Sequence, residues 1–249
     1  MTTENDPPIA ISELDSLRFG VVAASGIAKS VAQTADFDRF CRGNGVQLLI
    51  VRCPASAVEV VQALQRDGAR VMDCMVCYRR DFHRYPADST ADEIKWITPA
   101  RPEDAGEIAS VAMRAFQTYR GHYHADARLQ HVDAAEVYHD WATRLCSGQE
   151  TAHTIFVARQ HGALAGFAVL RRNSPSEAEA ILGAVEPQAQ GSGIPLALGY
   201  HIADWVGRSD MRWFVMCTQV SNIPLQRALI HHKCEIVSSH YVFHQWYDR

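Results

Sequence analysis

The clearest chemical pattern in the sequence is a glycine-containing segment, residues 188–193, between a predicted strand and a predicted helix. Residues 179–185 are mostly apolar and are followed by Pro187, which is typical of a buried strand. From Ile194 onward apolar side chains recur at helical spacing, and Pro195 suits the first helical turn, where a missing N–H costs little. A glycine loop at a helix N-terminus exposes backbone N–H groups and can therefore hold a phosphate.

Several known phosphate-binding loops can be compared with this segment. The dinucleotide pattern G-x-G-x-x-G lacks its third glycine here, because Leu196 occupies that position. A P-loop needs a lysine directly after its last glycine, and no lysine follows Gly193. Two interpretations are left: the pyrophosphate loop of an acyl-coenzyme A transferase, or an ordinary glycine turn before a helix.

The segment resembles the pattern V-x-P-x-x-[QR]-G-x-G-[IL]-[GA] of the GNAT acetyltransferases. Its last position departs, since Pro195 stands where Gly or Ala is usual and removes one phosphate donor. The matching residues are Val185, Pro187, Gln190, Gly191, Gly193 and Ile194. The resemblance implies acetyl-coenzyme A as co-substrate, with no metal. The binding residues that it implies are Ala184, Val185, Gln190, Gly191, Ser192, Gly193, Ile194 and Asn222.

A second match lies downstream, where the family often carries N-x-x-A-x-x-L-Y. Asn222 matches the asparagine, which lies near the pantetheine arm in that family. Leu229 stands at the position of the tyrosine that protonates the departing thiolate in many members, and leucine cannot donate a proton. His231, His232 or a water could serve instead, and we take His231 as the candidate catalytic acid.

Glu179 is the candidate catalytic base. It lies on the strand before the loop, where many GNAT enzymes carry a glutamate that takes the proton of the attacking amine. A carboxylate among apolar residues is costly unless it is hydrogen-bonded or functional. The alternative is a solvent-facing glutamate, which the nearby Glu177 makes credible.

Residues 119–126 are rich in imidazole and phenol groups and are the candidate acceptor-binding segment. Arg120 could meet a phosphate or carboxylate, and the rings could contact a sugar or a base. The alternatives are a polar loop over the core and a metal site. The candidate substrate-binding residues are Tyr119, Arg120, His122, Tyr123 and Tyr138.

The predicted elements divide the chain into two domains. The first domain is a small α/β domain over residues 1–85, and its first 15 residues form a loose arm. A linker over residues 86–95 joins it to the second domain, residues 96–249. The order in the second domain, α-α-β-β-β-loop-α-β-α-β, is that of the GNAT family. In the first domain we predict strands over 19–24, 46–52 and 69–78 and helices over 35–41 and 54–66.

Three stretches carry a further resemblance: residues 64–81 at the end of the first domain, residues 115–126 with Tyr138 and Trp141, and residues 218–222 with 240–244. Through them the chain resembles, over nearly its whole length, the TDP-fucosamine acetyltransferase family. That resemblance implies an α/β fold in which a GNAT domain, with a mixed, mostly antiparallel sheet flanked by helices, follows a smaller partial GNAT-like domain. It implies transfer of acetyl from acetyl-coenzyme A to the amine of a nucleotide-linked amino sugar in a ternary complex. Acetylation of another amine (a peptide N-terminus, an amino acid or a small metabolite) and a non-catalytic acyl-coenzyme A sensor are the alternatives.

Composition limits the partners of this 249-residue chain. Hydrophobic residues make up 47% and charged residues 21% of it, as in soluble globular proteins. The net charge is −4 with no long basic run, which argues against a nucleic-acid partner. No apolar stretch approaches about 18 residues, and the start lacks the features of a signal peptide. We expect a cytoplasmic protein with a small-molecule amine acceptor and no membrane partner, which could form a homodimer.

The seven cysteines are scattered along the sequence. Without a secretion signal, we expect free thiols in a reducing cytoplasm. Cys74 and Cys77 have C-x-x-C spacing, which can bind zinc or carry out redox chemistry. They lie in an apolar run, and positions three apart on a strand point to opposite faces. We therefore predict two core cysteines here.

Overall fold

The computed structural model describes residues 8–87, 89–130 and 132–247. By its internal contacts the chain falls into two compact units. Unit 1 comprises the residues up to 76, residues 120–132 and the residues from 238 onward. Unit 2 comprises residues 77–119 and 133–237.

The helices and strands alternate along most of the chain. In chain order they are β1 (Ile9–Ile11), α1 (Glu13–Phe19), β2 (Ala23–Ile27), α2 (Val31–Gly43), β3 (Leu48–Pro54), α3 (Val58–Arg66), β4 (Arg70–Asp81), β5 (Ile97–Pro99), α4 (Ala105–Phe116), α5 (His122–Ala125), α6 (Ala134–Cys146), β6 (Thr154–Gln160), β7 (Ala163–Ser174), β8 (Glu177–Val185), α7 (Ile194–Arg208), β9 (Trp213–Gln219), α8 (Ile223–His231) and β10 (Glu235–Trp246).

Unit 1 is built on a mixed sheet. β1 pairs antiparallel with β2, β2 pairs parallel with β3, and β10 pairs antiparallel with β3. One face of this sheet packs on α2 and α3 through fully buried side chains, including Phe37, Val51, Leu64 and Phe243. Because burial of large apolar side chains is the main driving force of folding, this face forms the core of unit 1.

The strand order in the sheet of unit 2 is β4-β9-β8-β7-β6-β5, to which β4 contributes its residues 77–81. The pairs from β5 to β8 are antiparallel and β8 is parallel to β9. Helices α4 and α6 pack on this sheet through a core that includes Ile108, Val111, Ala135 and Phe167. The predicted α/β class, with a mixed and mostly antiparallel sheet flanked by helices, is confirmed.

The start of the described chain differs from the prediction. Strand β1 and the first three residues of helix α1 lie in residues 9–15, where we expected a loose arm. The strand predicted over 19–24 begins only at Ala23. The Ser12 side chain caps α1 by accepting a hydrogen bond from the Asp15 amide, and Gly20, with a φ of 64°, ends it. The arm prediction for residues 1–7 lies outside the described residues.

The contact-based units differ from the predicted domain bounds at three places. Residues 77–85 lie in unit 2, whereas residues 120–132 and those from 238 onward lie in unit 1. Residues of the predicted linker pack in unit 2: Arg208 pairs with Asp92 at 3.4 Å, and the Ile94 carbonyl lies 3.0 Å from His201 Nε2. The bounds of the two domains as independent folds stay a prediction.

Two of the cysteines are paired. Cys77 on β4 and Cys217 on β9 form a disulfide within unit 2, so the prediction of free thiols is wrong for this pair. The other five cysteines are free, and Cys74 is half-buried. Sequence spacing could not indicate the pair, because 140 residues separate its members. Among the described helices, none is both long and apolar enough to cross a membrane.

Candidate functional site

The predicted phosphate loop joins β8 to α7 in unit 2. A short 3₁₀ turn over Pro187–Ala189 follows β8. Gly191 and Gly193 then take the left-handed conformation, with φ values of 81° and 79°. This conformation costs a non-glycine residue about 1–2 kcal/mol, so the two glycines are required by the backbone.

The loop is ordered by its own hydrogen bonds and is open on its outer side. The Ser192 hydroxyl donates to the Ala189 carbonyl at 2.6 Å, and the Ala189 amide donates to the Glu186 carbonyl at 2.8 Å. Gln190 and residues 191–193 are exposed. The Ser192 side chain thus stabilises the conformation of the loop. The amides of Gln190 and Ser192 also donate within the segment, to the carbonyls of Pro187 and Ala189 at 3.4 and 3.3 Å.

The N-terminus of α7 follows directly, with Gly193 as its N-cap. The first amides of a helix have no carbonyl partner within it, and they lie at the positive end of the helix dipole. Pro195 occupies the second helical position and contributes no N–H, so Ile194 and Leu196 supply the amides of the first turn. This arrangement suits an anion such as a pyrophosphate.

Close packing fixes the position of this helix start. Ile194 is fully buried, and a Cβ placed on Gly166 of β7 would lie 2.9 Å from its side chain and 3.1 Å from the Ala184 carbonyl. Gly166 therefore allows the helix to approach the sheet. Ala184 and Val185 themselves are half-buried at the end of β8.

An ion pair ties the segment before the loop to α4. The Arg114 guanidinium donates to both carboxylate oxygens of Glu186, at 2.8 and 2.9 Å. Such a bidentate pair fixes geometry as well as charge. Glu186 directly precedes Pro187, so Arg114 holds the entry to the loop. Sequence reasoning missed this residue, because it lies 72 positions from its partner.

In the described part of the chain, β8 pairs with β9 only over its first three residues. Among the described residues their parallel ladder ends at Glu179 and Val215, although β8 continues to Val185 and β9 to Gln219. On the other side of β8, a register shift against β7 leaves Ile181 as a bulge, which bends a strand. Backbone groups on the inner edges of β8 and β9 are thus open to an extended, amide-bearing ligand.

Glu179 lies at the end of this ladder. Its Oε2 accepts a hydrogen bond from Arg171 Nη2 at 2.8 Å, and its side chain is 12% exposed. The carboxylate is therefore neither solvent-facing nor unpaired, contrary to the alternative interpretation. Glu177 has a different partner from Glu179, because its carboxylate accepts a hydrogen bond from the Asn173 side chain instead of from an arginine.

Asn222 is the N-cap of α8. Its Oδ1 accepts from the Leu225 amide at 3.3 Å, and its Nδ2 donates to Thr218 Oγ1 at 3.1 Å. Leu229, at the usual tyrosine position, is buried at 5% exposure. Asn222 thus has a structural role in addition to the one that the resemblance implies.

His231 is exposed at the end of α8. Its Nε2 lies 3.0 Å from the hydroxyl of Tyr200 on α7. The neighbouring His232 is buried, and its Nε2 lies 2.8 Å from the Leu196 carbonyl. Of the two histidines considered as acids, His231 is the accessible one.

The predicted acceptor segment is divided between the two units. In unit 2, Tyr119 and Tyr138 surround Phe116, and the Tyr138 ring stacks on the Phe116 ring at a centroid distance of 3.7 Å. In unit 1, Arg120 is exposed and His122 and Tyr123 lie on the short helix α5.

The residues of α5 are held by polar contacts within unit 1. The Tyr123 hydroxyl donates to Asp15 at 3.0 Å, and His122 Nδ1 lies 3.0 Å from His244 Nε2. Within residues 8–87, 89–130 and 132–247 no three His, Cys, Asp or Glu side chains are grouped as metal ligands.

Comparison with known proteins gives the fold. No protein-family model matches the sequence, and no curated protein matches it. A GCN5-related N-acetyltransferase from Sphaerobacter thermophilus is 12% identical with a TM-score of 0.63, over 92% of this chain and 74% of that one. A tandem GNAT protein from the clavulanic acid biosynthesis pathway, solved without AcCoA, is 16% identical with a TM-score of 0.57, over 86% and 69%.

A putative GNAT-family acetyltransferase from Novosphingobium aromaticivorans is similar over still more of the chain. It is 13% identical with a TM-score of 0.56, over 98% of this chain and 91% of that one. At these identities the similarity concerns the fold alone. The predicted GNAT fold is confirmed, and the tandem protein fits a two-domain arrangement.

Proposed function

We propose that the protein is an acetyl-coenzyme A-dependent N-acetyltransferase acting on a small amine. The observation that carries this proposal is the glycine loop at the N-terminus of α7, beside two parallel strands whose pairing ends at Glu179 and Val215. The loop and helix amides suit the pyrophosphate, and the open strand edges suit the amide groups of the pantetheine arm.

In the proposed reaction the acceptor nitrogen attacks the thioester carbonyl carbon. An N–C bond forms, the C–S bond breaks, and the electron pair of that bond leaves on the coenzyme A sulfur. Backbone N–H groups on the open edge of β8 polarise the carbonyl oxygen. Direct transfer in a ternary complex needs no covalent acyl-enzyme.

Two proton transfers complete the reaction. Glu179 takes the proton of the attacking amine, directly or through a water, while Arg171 orients its carboxylate at 2.8 Å. Leu229 cannot donate a proton, so we assign protonation of the thiolate to His231, whose ring is held by Tyr200.

For the acceptor we propose the amine of a nucleotide-linked amino sugar. Support comes from the resemblance to the TDP-fucosamine acetyltransferase family and from the half-buried rings of Tyr119 and Tyr138 in unit 2. Aromatic faces stack on sugar and base rings. A peptide N-terminus or an amino acid lacks both the sugar ring and the base ring, so an amine panel distinguishes the acceptor classes.

A non-catalytic acyl-coenzyme A sensor is the second candidate. It is favoured by the buried Leu229 at the position of the usual acid and by Pro195 in the first turn of α7. A sensor would bind the coenzyme through the same loop and strand edges without turnover.

The test combines thermal stability with thiol release. Acetyl-coenzyme A should raise the melting temperature, because a ligand that binds only the native state stabilises it. Thiol release should then require an amine, with TDP-amino sugars as the best acceptors. Stabilisation without release for any amine supports the sensor, and the absence of stabilisation excludes both candidates.

Glu179→Gln isolates the base. The loss of a positioned general base should lower kcat by about 100-fold or more. Glu177→Gln is the matched control, because Glu177 lies two residues away on the same strand and is bonded to Asn173. An unchanged kcat across the pH range for Glu179→Gln excludes this role for Glu179.

A further inference from the structure

A chain of hydrogen bonds in unit 1 lies outside the proposed acetyl-transfer chemistry. It begins at the buried carboxylate of Asp126, whose Oδ2 lies 2.7 Å from His244 Nδ1 and accepts from Trp246 Nε1 at 2.9 Å. The Arg128 amide donates to Oδ1 at 3.0 Å. Burial alone would raise the pKa of Asp126, but these three donors outweigh it and lower the pKa to about 2. The carboxylate is therefore ionised.

The chain continues through two imidazole rings and fixes their tautomers. An ionised carboxylate can only accept, so His244 Nδ1 is the donor to Asp126. In the neutral ring, His244 Nε2 then carries a lone pair and accepts from His122 Nδ1 at 3.0 Å. With its proton on Nδ1, His122 carries its own lone pair on Nε2. The chain Asp126–His244–His122 thus ends in a proton acceptor.

This proton acceptor is available to a ligand. His122 is half-buried, and among the described residues its Nε2 has no hydrogen-bond partner. Burial, then the neighbouring His244 and Arg52, lower the pKa of His122 well below its ordinary value. The ring is therefore neutral at physiological pH and keeps its lone pair.

Arg52 supplies a positive charge on the same face of the sheet. It is paired in register with Val242, whose same-face neighbours on β10 are His240 and His244. Arg52 is exposed, and no carboxylate of the described chain lies within ion-pair distance of it. An unpaired guanidinium thus lies beside a lone-pair acceptor.

This pair of groups selects its ligand. A carboxylate or sulfate at neutral pH can pair with Arg52, but it carries no proton for His122. Inorganic phosphate keeps at least one O–H beside its anionic oxygens at neutral pH, and so does the monoanion of a phosphate monoester, whose last proton leaves at a pKa of about 6. We propose that unit 1 holds a phosphate site, in which Arg52 pairs with the anionic oxygens and His122 Nε2 accepts the hydrogen of the P–OH group.

No proton is transferred within this site. The low pKa of His122 keeps the ring neutral, so the proton stays on the phosphate oxygen and the P–OH group donates a hydrogen bond to His122 Nε2. The Nδ1 proton of His122 still faces His244, which in turn donates to the ionised Asp126. The ligand class is inorganic phosphate or a phosphate monoester.

Nitrogen NMR of histidine-labelled full-length protein tests the proposal, because each ring nitrogen reports its own protonation. His122 and His244 should both show the Nδ1–H tautomer. Inorganic phosphate should shift His122 Nε2 saturably and should bind more tightly than sulfate at equal ionic strength. The signal of His122 separates this site from phosphate binding at the α7 loop.

Variants sharpen the result. Arg52→Gln should weaken phosphate binding at His122 by about tenfold, and the exposed Arg66→Gln should not. The His122→Gln variant has no His122 signal, so anion binding is followed on the ring of His240, which lies on the same face as Arg52. This variant should bind phosphate no more tightly than sulfate. A proton on His122 Nε2, equal affinity for the two anions in the wild type, or no saturable shift overturns the proposal.

Discussion

Replacing Gly193 by alanine tests the loop with little chemical change. Gly193 has φ 79° and ψ 6° and caps α7. No atom of the described chain lies within 4 Å of an ideal Cβ there, so the substitution causes no collision. Its whole cost is conformational, about 1–2 kcal/mol for an L-residue in the left-handed region.

This cost must lower the free energy of unfolding, weaken coenzyme binding, or be divided between the two. If the free loop relaxes to avoid the strain, coenzyme binding must restore the native backbone. The Kd for acetyl-coenzyme A then rises by about 5–30-fold, as 1–2 kcal/mol requires. We expect most of the cost in binding, because residues 191–193 are exposed and a change in their backbone disturbs little packing. Titration calorimetry and thermal denaturation measure the two parts.

Gly162→Ala is the matched control. Gly162 has a φ of 83° in the turn between β6 and β7 and is equally open around its Cβ. It should lose stability by about 1–2 kcal/mol and keep the wild-type Kd. Gly193→Asn should lose less affinity than Gly193→Ala, since asparagine tolerates this region better. Wild-type affinity in Gly193→Ala, or an equal loss in both alanine variants, would refute the reasoning.

Three further predictions concern stability and covalent structure. A Cβ on Gly199 would collide with the buried ring of His232, so Gly199→Ala should lower the free energy of unfolding by about 1–3 kcal/mol in urea titrations; an unchanged value would contradict the tight packing. The folded pKa of Asp126, about 2, is below its ordinary value of 3.8, so its stabilisation is complete above pH 4 and is lost towards pH 2. It amounts to about 2 kcal/mol, and Asp126→Asn should show a shallower loss of stability over this range than the wild type. Because Cys77 and Cys217 are paired, thiol titration of the unfolded, non-reduced chain should find five thiols, and seven would disprove the disulfide.

The loop could be predicted from the sequence because its determinants are local. Glycines at 191 and 193, a proline in the first helical turn and an apolar strand before them lie within a few residues of one another. The backbone conformation that they require leaves few other structures. The same holds for most helices and strands, whose apolar periodicity is a property of one segment.

The residues that hold the loop in place could not be predicted in this way. Arg114 meets Glu186 across 72 positions, and Gly166 is needed only because Ile194 packs on it. Neither shows a local pattern, since the contacts exist only after the chain has folded. α1 was missed for another reason: its seven residues are too few for apolar periodicity to stand out, and its cap and glycine end define it instead.

The hydrogen-bond chain of His122 also depends on contacts that the sequence alone does not show. The sequence singled out His122 as a polar residue of interest, but its partner His244 lies 122 positions away on β10. The residue type alone indicated that the side chain at position 122 can accept or donate a proton. Only the fold shows which nitrogen of the ring can accept a proton.

Calorimetric titration of the full-length protein with acetyl-coenzyme A tests the central claim most directly, because every proposed step of acetyl transfer depends on this complex. The predicted result is one coenzyme molecule per chain, with a Kd at or below roughly 1 mM and weaker binding in Gly193→Ala. The absence of saturable binding at several temperatures would contradict both the transferase and the sensor.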